Sequence, residues 1–281
     1  MDAINNNIAL IVHTCDRYEF LYKGFDIFFS KYWDFNIPCK YYFATEEKDA
    51  IVNGFQNIHS GKGQWTDRLA FLLREKIKEK YVLYFQEDMW LTKKVNAQFF
   101  SELFEPTKNN NWKQVKLHSS EVYKTNPTDL FIQGFNVAKV DNATSDFLMS
   151  HQVTLWDREF FLQQLPKDEH PWRNERKGTK RLKKLNPDIF HIDYFAENGK
   201  PPINKNHNPI GRSEYLTVSE NGMLNWAATH FIKELSSGNE AEKAYAQALQ
   251  NHLDKGLTHD GKPKPRKEDI FKKIKNKLRG R

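Results

Sequence analysis

The strongest constraint on the fold is an alternation of short apolar runs and helical segments in the N-terminal half of the chain. In chain order, the sequence predicts strand 8–14, helix 17–33, strand 39–45, strand 54–59, helix 65–80 and strand 81–85. Strands separated by helices of this length usually pair in parallel. We therefore predict an α/β fold with a mixed, mainly parallel central sheet.

The second half of the chain is less regular. It predicts helix 96–105, strands 114–118 and 130–137, an apolar segment ending at 155–156, helices 158–165 and 172–184, and helix 240–253. Residues 198–212 are rich in Pro, Gly and Asn and predict a loop. We expect one catalytic domain over residues 1–256, followed by a linker and tail over residues 257–281.

The basic character of the chain is concentrated in its last twenty residues. The sequence has 43 Lys and Arg against 36 Asp and Glu, and ten of the basic residues but only two of the acidic ones lie at 262–281. Ile270, Phe271, Ile274 and Leu278 form one apolar stripe there, which is typical of a helix lying on an anionic membrane surface. A solvated tail is the alternative. Because the rest of the chain is nearly neutral, we do not expect nucleic acid to be a partner.

Targeting and cysteine signals are sparse. Cys15 and Cys39 belong to no zinc-type spacing, and the apolar run at residues 8–12 is far shorter than the roughly 20 residues of a membrane span. These features favour a cytoplasmic protein, held peripherally at the inner face of the cell membrane by its tail.

Two polar clusters directly follow predicted strands. Residues 13–17 read His-Thr-Cys-Asp-Arg after the first strand, and Gln86-Glu87-Asp88 follows strand 81–85. Ligands of open α/β sheets bind beyond the carboxyl ends of the strands, so we expect both clusters to lie in one cleft. Acidic residues after a buried strand could cap the next element, but a divalent cation bound to a phosphorylated substrate explains them better.

These motifs resemble those of a known family. The turn at residues 13–17, the helix and strand at 65–88, and the segments 155–158 and 171–175 are similar to those of bacterial nucleotide-sugar glycosyltransferases of the A-type (GT-A) fold. The resemblance covers about residues 7–195. It implies a single Rossmann-like GT-A domain with a C-terminal helical basic appendage.

The resemblance also implies a donor site. The donor-binding residues would be Thr14, Asp16, Arg17, Asp67, Arg68 and Glu87. The first three would meet the base and ribose, and Asp67 or Arg68 would support the ribose or diphosphate. Glu87 and Asp88 would hold Mg²⁺ or Mn²⁺. The family's Asp-x-Asp is not present, because Gln86 takes the first position.

An inverting transfer also needs a base beside the acceptor hydroxyl. Glu175 is the first candidate and Asp157 the second, with Asp168 and Glu169 close by in sequence. The alternative for Glu175 is a solvated helix residue beside Arg173 and Arg176. Without any such base, the enzyme would be retaining.

Together these features predict a glycosyltransferase. It would move a sugar from a nucleotide-sugar donor to a surface glycan, such as capsule or lipopolysaccharide, or to its lipid-linked precursor. The alternatives are a non-catalytic nucleotide- or membrane-binding adaptor and a nucleotidyltransferase, which shares the carboxylates and the metal.

Overall fold

The computed structural model describes residues 7–207 and 210–264. The chain divides into two compact units, Met1–Val218 and Ser219–Arg281. The expected catalytic domain, residues 1–256, therefore extends past the boundary between the two units and stays a prediction. The expected tail helix falls on residues that lie outside the described ones.

The first unit alternates strands and helices from its start. Its elements up to residue 118 are β1 (Ile8–His13), α1 (Glu19–Tyr32), β2 (Lys40–Thr45), β3 (Gln56–His59), α2 (Trp65–Phe71), β4 (Tyr81–Phe85), β5 (Met89–Leu91), α3 (Ala97–Asn109) and β6 (Gln114–His118). The elements that follow are β7 (Thr125–Asn126), β8 (Phe131–Ile132), β9 (Phe135–Asn136), β10 (Ala138–Val140), β11 (Thr154–Asp157), α4 (Arg158–Gln163), α5 (Pro171–Leu185), β12 (Ile189–Glu197) and β13 (Ser213–Thr217).

One large sheet runs through this unit in the order β3-β2-β1-β4-β11-β6-β12-β10-β7, and β13 joins β12 to β5. The first four strands are parallel, and β6, β12 and β13 run in the same direction as they do. β11 is inserted antiparallel between β4 and β6. The prediction of an α/β fold with a mixed, mainly parallel sheet is confirmed.

Both faces of the sheet are covered by helices. On one face, Phe29 of α1 and Phe100 of α3 pack on Phe85 and Phe195, with ring centroids 5.8 and 6.4 Å apart respectively. On the other, residues of α2, α4 and α5 share a buried cluster with β1, β4 and β11. Since the helices after β1 and before β4 lie on opposite faces, the chain reverses its winding between these two strands, which is where such sheets bind ligands.

A glycine in α1 lets the helix approach the turn after β4 that carries Glu87 and Asp88, called the acidic turn below. A Cβ on Gly24 would lie 2.0 Å from the Trp90 ring, so only glycine fits there. The Trp90 indole donates a 2.9 Å hydrogen bond to the Glu87 carbonyl. This close contact therefore fixes the backbone of the turn that carries the two acids.

The structure differs from the predicted elements in several places. The helix after Trp65 continues only to Phe71, passes through one π-helical turn to Lys76 and becomes extended at Ile77. The predicted strand at 130–137 is a short hairpin, β8–β9, followed by β10. β12 and β13 had no predicted counterpart. The predicted loop at 198–212 has no helix or strand in its described part.

The second unit is small. It contains the hairpin β14 (Ser219–Glu220) and β15 (Met223–Leu224), then α6 (Ala228–Leu235) and α7 (Glu240–Lys255). α7 begins with a capping box between Asn239 and Glu242 and ends at Gly256 in a left-handed conformation. Beyond it the chain folds back, because Thr258 forms a bridge with Met223, and Leu257 with Pro263. Within the described residues, no helix is both long and apolar enough to cross a bilayer.

The Gly24 contact predicts a specific sensitivity. Gly24→Ala should lower the free energy of unfolding by about 1–3 kcal/mol, because the new methyl group forces Trp90 aside. Gly211→Ala is the matched control, since a Cβ there meets nothing within 4 Å. Urea denaturation of both variants checks this, and equal stabilities would contradict the proposed packing role.

Candidate active site

The polar residues that follow four parallel strands meet at one edge of the sheet. β1, β4, β6 and β12 run in the same direction and all end at this edge. Their last residues are His13, Phe85, His118 and Glu197. β11 runs the other way and starts at Thr154, which lies opposite both Tyr84 and Lys116. Residues 151–153 therefore reach the same edge from the opposite direction. Loops from five strands build one candidate active site.

The acidic turn after β4 carries two carboxyl groups in surroundings that disfavour their ionised form. Burial, then the neighbouring Asp88, raises the pKa of Glu87 well above its ordinary value, although Thr14 and Arg68 oppose this. Burial also raises the pKa of Asp88 to about 7. The Oδ1 atom of Asp88 is buried without a hydrogen-bond partner among the described residues. Two adjacent acids without a compensating cation are costly to ionise, so this turn favours binding of positive charge or a proton.

The turn after β1 lies against the same acids. Arg68 reaches from α2 to donate a 3.0 Å hydrogen bond to the Thr14 carbonyl, and it pairs with Glu46 at 3.2 Å. The charge of Glu87 raises the pKa of both Cys15 and Tyr18, second only to burial. The structure therefore brings Thr14, Arg68, Glu87 and Asp88 together, as the sequence predicted for the two clusters.

Asp16 has a different immediate partner from the expected nucleotide. Its carboxylate accepts hydrogen bonds from the backbone N–H groups of Glu46, Glu47 and Lys48 at 3.0–3.1 Å. In return, the Asp16 N–H donates to the Glu46 side chain at 2.9 Å. Asp16 thus ties the loops after β1 and β2 together. Arg17, next to it, is exposed.

Glu175 lies beside a cavity of about 270 Å³ that opens at the same edge. The cavity is lined by His118, Ser120, Val122, Tyr123, Phe147, Ser150, Gln152, Glu175, Glu197 and Lys200. The His151 N–H donates to Glu175 Oε1 at 3.0 Å. Burial raises the pKa of Glu175, and the charge of Glu197 adds to the rise, whereas Lys116 lowers it. A carboxylate with a raised pKa beside a polar cavity can accept a proton from a bound hydroxyl.

Glu175 and the acidic turn are parts of one electrostatic neighbourhood. Tyr84 is the last residue but one of β4. The pKa of its hydroxyl is raised first by burial and then by Glu87, Asp88 and Glu175. The Tyr215 hydroxyl donates to Gln152 at 2.9 Å. Its pKa is raised first by burial, and the charges of Glu197 and Asp88 are among the groups that add to the rise. The cavity and the acidic turn are adjacent, because Tyr215 binds Gln152 of the cavity wall and belongs to β13, which pairs with Met89 directly after Asp88.

A buried lysine supports the floor of the cavity. Lys116 donates to the Phe147 carbonyl at 3.1 Å and the Ser150 hydroxyl at 3.2 Å, and it has no carboxylate partner among the described ion pairs. Burial lowers its pKa to about 7. The Tyr123 hydroxyl lies 3.3 Å from Lys116 Nζ and 2.9 Å from His118 Nε2. These hydrogen bonds hold the residues that line the cavity in fixed positions.

Two predicted site residues have structural partners. Asp157 is opposite Tyr81, at the start of β4, and therefore at the far edge of the sheet from Asp88. There it caps α4 through the Phe160 N–H and pairs with Lys113 at 3.1 Å. Asp67 points to the loop before α5, where its carboxylate accepts from the Asp168 N–H at 3.4 Å. Asp157 therefore lies apart from the cluster, whereas the donor-binding role of Asp67 stays a prediction.

The other acids near Glu175 in sequence also have structural partners. Glu169 is buried and bound by Asn174 at 3.0 Å and by Arg181 at 3.2 Å. Its backbone exchanges hydrogen bonds with Thr66. Glu169 therefore joins α5 to α2, and Glu175 is the acid of this region that faces the cavity.

The sequence interpretation missed Glu197, Gln152 and Lys116. Glu197 had a usable signal, because it follows the apolar segment Tyr194-Phe195-Ala196 and precedes Asn198 and Gly199. Gln152 and Lys116 had none, since their roles come from the pairing of β11 with β4 and β6.

The acidic turn partly fits a divalent cation. The unpartnered Asp88 oxygen and the adjacent Glu87 carboxyl are suitable hard ligands. No group of three or more His, Cys, Asp or Glu in residues 7–207 and 210–264 is arranged to hold a metal. A cation would therefore need substrate oxygens to complete its coordination.

Comparisons with known proteins give no family. No family model and no curated protein matches the chain. Among solved structures, S. aureus TarS is similar at 10% identity with a TM-score of 0.44, covering 88% of this chain and 43% of that one. S. aureus TarS 1-349 is similar at 10% identity with a TM-score of 0.43, covering 88% and 70% respectively. This chain thus spans less than half the length of the first, and similarity at this level carries no argument about fold or function.

The Asp88 carboxyl should make stability depend on pH. Its pKa of about 7 in the folded protein lies above the ordinary value of 3.8, so between these values the folded protein holds a proton that the unfolded chain has lost. The free energy of unfolding therefore falls as pH rises through this window. Relative to the native protein, Asp88→Asn should gain about 2 kcal/mol of stability between pH 5 and pH 8.

Urea denaturation with a chelator present at both pH values measures this difference. Asp141→Asn is the control, because the pKa of Asp141 is already lowered, first by its hydrogen bond from Thr144. Its stability difference from the native protein should stay constant between pH 5 and pH 8. A constant difference for Asp88→Asn as well would show that Asp88 is ionised throughout.

Proposed function

We propose that the protein is a glycosyltransferase that uses a nucleotide-sugar donor. The observation that supports this best is the position of Glu175 beside a polar cavity adjoining the Glu87–Asp88 turn. Such a transfer needs positive charge at a leaving diphosphate and a base at an acceptor hydroxyl. The turn would meet the first need by holding a divalent cation, and Glu175 would meet the second.

The donor would lie across the carboxyl ends of β1 and β4. This is the point where the winding of the sheet reverses. Thr14 and Arg17 would meet the base and ribose there, on a loop that Arg68 holds through the Thr14 carbonyl. Asp16 would contribute by holding the loop after β1, and its remaining exposed surface could reach the ribose.

Glu87 and Asp88 would hold Mg²⁺ or Mn²⁺ together with the donor diphosphate. When bound, the metal would supply charge neutralisation for the departing nucleoside diphosphate. The residues' own contribution is to place two carboxylates beside the diphosphate on a backbone fixed by Trp90. Without the cation, the same carboxylates would repel the donor.

Glu175 would act as the base of an inverting reaction. The acceptor O–H proton would pass to Glu175, the acceptor oxygen would bond to the anomeric carbon, and the bond from that carbon to the diphosphate oxygen would break. The hydrogen bond from His151 holds Glu175 in place through Oε1, leaving Oε2 for the substrate. Glu197 and Gln152 would orient hydroxyl groups in the cavity.

The acceptor would be a cell-surface glycan or its lipid-linked precursor. The basic tail at residues 262–281 would keep the enzyme at the anionic inner face of the cell membrane. A tethered enzyme meets a membrane-bound acceptor at a raised local concentration. These assignments rest on the sequence pattern.

Substitution of the two candidate bases separates them. Glu175→Gln should lower kcat by about 10²–10⁴-fold while nucleotide-sugar binding stays, because only proton transfer is lost. Asp157→Asn is the matched control and should keep its kcat, since it lies at the opposite edge of the sheet. Rates come from released nucleoside diphosphate with a glycan acceptor. Loss of activity in the control alone would reverse the assignment.

A thermal-shift screen over nucleotide sugars, with and without Mn²⁺, tests the function itself. A donor that binds the folded state raises Tm by mass action. The native protein should shift with one nucleotide class and Mn²⁺, and Asp88→Asn should lose the Mn²⁺-dependent part. A shift without sugar transfer but with pyrophosphate release would identify a nucleotidyltransferase. No shift with any nucleotide would favour the adaptor.

The tail predicts a separable membrane contact. Because residues 257–263 pair back onto the second unit, the truncation should follow Lys264 and not precede Lys262. Sedimentation with anionic vesicles should fall at least tenfold for the shortened chain, since it loses eight of the ten basic residues at 262–281. Equal sedimentation of both chains would exclude the tether.

A further inference from the structure

A large basic groove lies next to the Glu175 cavity. It measures about 650 Å³ and runs along α5, with Asp146, Phe147 and Thr179 also contributing to its walls. Its basic residues are Arg173, Arg176, Lys177, Lys180 and Lys183. A concave surface lined with five cations attracts anions more strongly than a flat one, since the low-dielectric walls focus the field.

The positive charge in the groove is mostly unneutralised. α5 carries seven basic residues and one acidic residue, Glu175, which faces the cavity. Lys177 and Lys183 pair with Glu169 at 3.6 Å and Asp146 at 3.8 Å. The remaining three groove residues form no ion pair with a described residue; they are Arg173, Arg176 and Lys180. These three are free to bind an anionic ligand.

The groove is built on a tightly packed support. Asn174, Gly178 and Leu182 are the buried residues of α5, spaced four apart on its inner face. A Cβ on Gly178 would lie 2.6 Å from Met149 Cγ, so the helix lies directly on the segment that follows Phe147. The Thr179 hydroxyl accepts from the Met149 N–H at 3.3 Å. The two walls of the groove are therefore held at a fixed separation.

Phe147 forms part of both the groove and the Glu175 cavity. Its side chain is 47% exposed, and its backbone has a φ of 50°, a conformation that is strained for a bulky residue. Lys116 holds that conformation by donating to its carbonyl at 3.1 Å. An exposed aromatic ring kept in a strained conformation between two cavities suggests a binding role.

We propose that the groove binds a polyanionic glycan, an acceptor chain with carboxylate or phosphate groups along it, and that Phe147 leads its end into the cavity. This inference rests on the proposed glycosyl transfer and specifies its acceptor class. The basic side chains bind the anionic groups of the chain, and the Phe147 ring packs on a sugar ring. The terminal hydroxyl then reaches Glu175.

A glycan suits this surface better than a membrane does. The basic residues line a concave groove that shares Phe147 with a polar cavity, whereas a bilayer contacts flat or convex surfaces. A chain with regularly spaced charges can follow the groove and still place its end beside Glu175. Lipid headgroups have no such continuation.

Binding of matched oligosaccharide pairs to the full chain tests the proposal. The pairs are oligogalacturonate with its methyl ester, and phosphorylated dextran with dextran, measured by calorimetry at low and high salt. We expect at least tenfold tighter binding of the charged member of one pair, weakening as salt increases. Neutral and charged members binding equally in both pairs, or no binding, would overturn the proposal.

A triple variant locates the binding. Arg173→Ala with Arg176→Ala and Lys180→Ala should weaken the charged oligosaccharide at least tenfold. The control removes three exposed basic residues that do not line the groove, through Arg74→Ala, Lys76→Ala and Lys184→Ala, and should bind as the native protein does. Equal weakening in both triple variants would show only a non-specific electrostatic attraction between the basic protein surface and the charged glycan, and would reject the groove as the binding site. Phe147→Leu should weaken binding about 3- to 10-fold, and Phe147→Tyr should preserve it.

Two further measurements separate the possible failures. Vesicles of phosphatidylglycerol and phosphatidylcholine should bind the groove variant and the native chain equally, and loss of vesicle binding without loss of glycan binding would assign the groove to a membrane. The nucleotide thermal shift of the groove variant should match the native one. Absence of any nucleotide shift would reject the glycosyl transfer, whereas a normal shift without preference for charged glycans would reject the acceptor class alone.

Discussion

The candidate active site depends on the antiparallel insertion of β11 between β4 and β6. Thr154 is paired with Tyr84 on one side and Lys116 on the other, so the chain enters the sheet at the edge where β4 and β6 end. This places His151 and Gln152 beside the loops of four parallel strands. A β11 running in the opposite direction would carry these residues to the other edge and leave Glu175 without the His151 hydrogen bond.

The acidic turn shows how the fold supports an unfavourable arrangement. Burial raises the pKa of both Glu87 and Asp88, and the charge of Asp88 adds to the rise at Glu87. The Asp88 Oδ1 atom has no hydrogen-bond partner among the described residues. Backbone contacts hold this turn in place, because the Trp90 indole donates to the Glu87 carbonyl and the Val218 N–H donates to that of Asp88. The Asp88 Oδ1 atom is left for a cation or a proton, as the proposed transfer site requires.

One helix serves two purposes in the proposed reaction. The inner face of α5 packs on Met149 through Gly178 and presents Glu175 to the cavity, while its outer face lines the groove with basic side chains. The base and the acceptor surface are thereby held on one rigid element. Phe147, which belongs to both cavities, links them spatially.

The sequence by itself determined the class of fold, since the periods of its apolar residues distinguish strands from helices and helices between strands impose parallel pairing. It also placed Thr14 and Glu87 at strand ends that share one edge. Only the tertiary structure decided which acids face the site. Glu175 and Asp157 look alike along the chain, and the direction of β11 and the packing of Gly178 on Met149 send one to the cavity and the other to the opposite edge. Such placements follow from contacts between residues distant in sequence, which local patterns do not encode.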